Sequence, residues 1–71
     1  MTQYTIIIED AGSNFGAYGP DVPGCIVTGT TVEETTRLMT EALEMHIQLL
    51  REMGEPIPTP HTFSAQVLIA S

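Results

Sequence analysis

A single uninterrupted helical signal, running from Thr31 to Gly54, constrains the fold of this chain more than any other feature. Val32, Thr35, Met39, Ala42, His46, Leu49 and Met53 recur at alternating spacings of three and four, and Thr36, Leu43 and Leu50 widen the stripe. Thr31 and Glu34 have the spacing of a capping box, in which the hydroxyl and the carboxylate each satisfy an orphan backbone N–H. Gly54 predicts a left-handed cap, and Pro56, Pro58 and Pro60 hold the next segment extended. Glu33, Arg37, Glu41, Glu44, Gln48, Arg51 and Glu52 fall largely on the opposite side, where a Glu33–Arg37 pair adds at most about a few tenths of a kcal/mol. Such a helix, of about 22 residues and roughly 33 Å, cannot bury its own stripe, so the rest of the chain must supply a facing layer.

That layer reads as a sheet. Tyr4-Thr5-Ile6-Ile7-Ile8-Glu9 is aromatic and β-branched and ends at the turn residues Asp10 to Asn14, which predicts a strand followed by a turn. Phe15 to Tyr18 predicts a second strand, and Asp21, Pro23 and Gly24 make a corner before a third at Cys25 to Thr28. Short connections pair such strands antiparallel. Beyond the prolines, Phe63 to Ile69 alternates with Phe63, Ala65, Val67 and Ile69 on one face, which predicts a fourth strand. The expected fold is α+β in the order β-β-β-α-β, a four-stranded, mainly antiparallel sheet with one helix on one face, as a single domain over residues 1–71.

One helix covers one face of a sheet, so the other face is left bare. If Tyr4, Ile6 and Ile8 point toward the helix, Ile7 points away, as does Leu68 on the fourth strand. Ile7 and Leu68 are therefore expected in an exposed apolar patch of the kind that marks an oligomer interface. The size of the chain strengthens that expectation, because 71 residues bury only about 60% of their unfolded surface. Domains of this size gain margin from disulfides, metals or partners. Cys25 is the only cysteine, and His46 and His61 stand apart from any ligand spacing, so no metal or other cofactor is expected and a partner chain is. A dimer or higher homo-oligomer follows.

The formal charge of −7, with Arg37 and Arg51 the only basic residues besides histidine, opposes direct binding of nucleic acid. It favours a basic partner and speeds its arrival. Neither a signal peptide nor an apolar run long enough to span a bilayer is present, and a cytoplasmic protein is expected. His46 lies on the apolar stripe as a core or interface residue, His61 follows the prolines as a solvated loop residue, and Cys25 packs at the start of a strand. Met45 falls off the stripe and is expected to face a partner.

The corner Pro20-Asp21-Val22-Pro23-Gly24-Cys25, the helix start Thr30-Thr31-Val32-Glu33-Glu34 and the connector Gly54-Glu55-Pro56-Ile57-Pro58-Thr59-Pro60 together resemble the HicB-like antitoxins, over about residues 4 to 60. The resemblance implies a partial ribonuclease-H-like fold with the last strand parallel beside the first. It also implies that the chain binds and occludes a HicA-like toxin, a small basic domain that cleaves messenger RNA, and catalyses no reaction itself. Glu9, Asp10 and Asp21 are then expected to supply rim charge, with Tyr18 an aromatic contact. Thr30 stands where the family often has an acidic residue, and Thr35 where it often has alanine. Many members continue into a DNA-binding domain, which is not expected in a chain that stops at Ser71. Two other readings remain: a solitary oligomeric interaction module without a toxin and, less favoured, a metal-dependent nuclease using Asp10 and Asp21 with Glu9. The nuclease reading is disfavoured because both aspartates occupy turn positions, where they are preferred for backbone hydrogen bonding.

Overall fold

The computed structural model describes residues 2–70. Three strands, β1 (Ile7–Asp10), β2 (Phe15–Tyr18) and β3 (Ile26–Gly29), precede one helix, α1 (Val32–Glu52). The strands form an antiparallel sheet in the order β1-β2-β3. A turn in which the Asp10 carboxylate accepts the Gly12 N–H at 2.8 Å joins the first two strands. Two successive turns across Gly19–Val22 and Val22–Cys25 make the corner before the third.

The register sorts the residues by face. Ile8, Ala17 and Val27 stand opposite one another across the three strands, and all three belong to the core beneath α1. Buried Val22, Cys25 and Met39 complete its centre, with Tyr4, Ile6, Ala42 and Leu43 packed around them. The sequence-based placement of Tyr4, Ile6 and Ile8 on the helix side agrees with this core.

At the start of α1, the Thr31 hydroxyl accepts the Glu34 N–H at 3.0 Å, which is the expected half of a capping box. The other half is displaced by one residue. Glu34 Oε1 accepts from the N–H of Thr30 at 2.7 Å and from its hydroxyl at 3.0 Å. These bonds hold the Glu34 carboxyl below its ordinary value. At the other end, Gly54 adopts φ +71° while its N–H bonds to the Arg51 carbonyl and that of Glu55 to Leu50. This is the paired closure of a Schellman cap.

Gly29 explains how the helix sits so close to the sheet. A Cβ at this position would lie 3.1 Å from Thr35 Cα and 2.5 Å from its hydroxyl oxygen. The absence of a side chain at the end of β3 thus admits the first turn of α1, where Thr35 is fully buried.

The structure corrects the expected strand count. No fourth strand pairs with the sheet among the described residues, and residues 55–70 carry no regular structure. The alternation at Phe63 to Ile69 is present, but none of those side chains joins the core. Phe63 is 93% exposed and Leu68 fully so. Ile7 and Leu68 therefore do not share a sheet face, because the strand that was to carry Leu68 is absent from the sheet.

Candidate functional site

The helix-free face of the sheet is defined by the second row of the register. Ile7, Tyr18 and Ile26 stand opposite one another across β1, β2 and β3, and Glu9, Gly16 and Thr28 form the next row on the same face. Side chains alternate along a strand, so these six residues point away from α1. Ile26 is 71% exposed, Tyr18 is exposed and Ile7 half-buried. The result is an apolar row with an aromatic residue at its centre and the Glu9 carboxylate beside it.

Two of the four expected partner contacts, Glu9 and Tyr18, share this face. Asp10 does not, since its parity is that of the helix side and its exposed carboxylate closes the turn onto Gly12. Asp21 departs further from expectation: it is only 4% exposed, and its carboxylate is spent inside the chain. Oδ2 accepts the backbone N–H groups of His61 and Thr62 at 3.0 and 3.1 Å, while Oδ1 accepts the Thr62 hydroxyl. The His61 ring nitrogen Nε2 lies 3.1 Å from Oδ1. The Thr62 hydroxyl, with help from these backbone groups and His61, lowers the Asp21 pKa against the opposing effect of burial. A buried carboxylate so committed is a structural clasp, in place of the exposed rim position expected from the sequence.

Two more bonds complete the clasp. The Tyr4 hydroxyl donates to the Pro58 carbonyl at 2.6 Å and the Thr5 hydroxyl to that of Thr62 at 3.0 Å. Together they tie the proline connector to the corner and to the chain entering β1. His61 is exposed, as expected, yet its backbone is part of this anchor. The partner of Asp21 lies forty residues away in sequence, so no local signal could have revealed it. Cys25 is buried, and burial raises its thiol pKa, which makes it a packing residue with little thiolate character.

A second open region lies at the far end of α1. Cys25 and Ala42 line an open groove of about 570 Å³, with Ile26, Met45 and Leu49 around it. Met45 is exposed here. Among the described residues no three His, Cys, Asp or Glu side chains gather where they could hold a metal, and no helix is long and apolar enough to cross a membrane.

A three-stranded antiparallel sheet with one helix on one face and an apolar row on the other defines an α+β domain. The chain belongs to the HicB-like antitoxin family of bacterial toxin–antitoxin systems, whose family model matches residues 4–69. It is 36% identical over 55 residues to an uncharacterised 14.9 kDa protein of Haemophilus phage HP1, a match covering 78% of this chain and 41% of that protein. It is 34% identical over 56 residues to a UPF0150 protein of Synechocystis sp., covering 78% of this chain and 71% of that relative. Among solved structures it is similar to a chain of a HicA3–HicB3 toxin–antitoxin complex, with 33% identity and a TM-score of 0.72. That match covers 84% of this chain and 70% of the other. The chain thus spans less than half of the phage relative.

Proposed function

We propose that this chain is an antitoxin that binds a small basic toxin of the HicA type through its helix-free sheet face and silences it by occlusion, without catalysing a reaction. The observation that carries the reading is the row Ile7–Tyr18–Ile26 with Glu9 beside it. An apolar centre containing an exposed tyrosine and bordered by charge is the usual anatomy of a protein interface. The net charge of −7 steers a basic partner toward it and repels the RNA such a partner would otherwise hold. The similar solved chain comes from a complex with a HicA toxin, which supports the choice of partner. Action falls in the cytoplasm, where messenger RNA is cut.

The test is co-purification with a small basic protein encoded beside this chain, followed by substitutions on the face. Tyr18→Asp and Ile26→Asp should each weaken binding by at least about thirtyfold, the scale of an interface hot spot. Glu9→Lys should slow association, with a weaker salt dependence. Binding unchanged in both apolar variants would overturn the choice of face, and a basic neighbour that fails to bind at all would overturn the antitoxin reading. A second reading, an oligomeric interaction module without a toxin, is favoured by the exposed residues 63–70 and predicts a soluble homo-oligomer that captures no basic protein.

A further inference from the structure

The ring of His61 is held at both of its nitrogens. Nδ1 lies 2.9 Å from the Thr59 carbonyl oxygen, and Nε2 lies 3.1 Å from Asp21 Oδ1. Both facing atoms are acceptors. A carbonyl oxygen carries no hydrogen, so the bond at Nδ1 requires a ring proton there, and this fixes the tautomer of the neutral ring. Nε2 is then the nitrogen that titrates. Without a proton it turns a lone pair toward an ionised carboxylate, and with one it makes an ion pair across the same 3.1 Å.

The carboxylate it faces stays ionised whatever the ring does. The Thr62 hydroxyl and the backbone N–H groups of His61 and Thr62 hold the Asp21 pKa below the ordinary 3.8, against the effect of burial. No other acidic side chain among the described residues lies within ion-pair distance of the ring. On the connector, no ionisable side chain stands between Glu55 and His61, and none from Thr62 to Ala70. From the chain entering β1 comes Tyr4, whose hydroxyl is bonded to the Pro58 carbonyl. The His61 side chain is itself 75% exposed, so solvent delivers and removes its proton directly.

We propose that His61 is a proton-operated latch on the connector: a proton on Nε2 draws the ring onto Asp21 and tightens the clasp, and its loss releases the ring and loosens residues 61 and 62. The direction follows from the charges. The protonated ring sets a positive charge against the Asp21 carboxylate, whereas the neutral ring sets a lone pair against it. The latch is therefore firm from the acid titration of Asp21 up to the range of about pH 5 to 8 in which histidine changes charge, and it slackens as pH rises through that range. Its reach is local. The Thr62 carbonyl also accepts the Thr5 hydroxyl, and Thr5 leads into β1, so the latch acts on the joint between the connector and the first strand. Helix and core stay as they are under either functional reading.

Nuclear magnetic resonance of the isotopically labelled full chain, followed from about pH 5 to 8, tests the latch. Ring nitrogen shifts should show the neutral His61 ring carrying its proton on Nδ1. The Thr62 amide resonance should move with the same midpoint as the His61 ring. Its protection from hydrogen exchange, corrected for the intrinsic rate, should fall by about threefold across the titration, the scale of an ion pair open to solvent on one side. In His61→Gln, whose amide can donate to Asp21 without titrating, circular dichroism should show an unchanged helix, and both the shift and the fall in protection should vanish. His46→Gln, on α1, should leave both in place. A neutral His61 ring protonated on Nε2, a Thr62 amide that does not follow the ring, or a pH dependence that survives in His61→Gln would each overturn the latch.

Discussion

The two halves of α1 carry the same apolar periodicity and meet opposite fates. Thr35 and Met39, in the first half, are fully buried, whereas Leu49 is half exposed and Met45 and Met53 more so. The cause is length. Strands of four residues span about 13 Å while a 21-residue helix runs about 32 Å, so the helix outruns the sheet beneath it. Amphipathic spacing shows which side of a helix is apolar, and the extent of the facing layer decides how much of that side is covered.

The sharpest way to break this contrast is to truncate matched side chains on either half. Met39→Ala should lower unfolding free energy by about 2–5 kcal/mol, because it opens a cavity in a closed core, whereas Leu49→Ala should cost less than about 0.5 kcal/mol in the isolated monomer. Urea titrations of both variants check this, and equal losses would sink the account of an overhanging helix. Gly29→Ala probes the closed half from the sheet side. Its new methyl would press on Thr35 Cα, and a loss of about 1–3 kcal/mol is expected by the same titration. Thr31→Ala removes the hydroxyl that caps the first turn and should cost about 1 kcal/mol, read as a lower thermal midpoint.

The smallest effect is confined to acid. Asp21 and Glu34 both have pKa values lowered on folding, from ordinary values of 3.8 and 4.5. Their contribution is therefore complete above those values and is lost as pH falls through the lower folded ones. Stability followed from pH 6 downward should thus decline below about pH 4.5. In Asp21→Asn the decline should be shallower, and hydrogen exchange at the His61 and Thr62 amides should lose protection while the helix amides keep theirs. An acid profile identical to the wild type would remove Asp21 from the clasp.

Much of the architecture was legible because its causes are local. The cap at Thr31, the glycine closure at Gly54, the turn at Asp10 and the three strands each follow from residues a few positions apart, as does the helix-side placement of Tyr4, Ile6 and Ile8. The acidic composition and the family signature at Pro20 to Cys25 pointed to a protein partner by the same short-range reading.

What the sequence left open depended on neighbours distant along the chain. Alternation marked Phe63 to Ile69 as strand-like, but a strand also needs an edge to pair with, and among the described residues no edge receives it. Turn preference explained Asp10, while Asp21, of the same residue type, was withdrawn from the surface by His61 and Thr62 forty residues on. Register across three strands, which no single segment encodes, set Tyr18 between Ile7 and Ile26. Local chemistry thus determined which elements form and which faces are apolar. Tertiary packing alone decided which of those faces are closed, because burial depends on what lies opposite and the opposing surface is drawn from the whole chain.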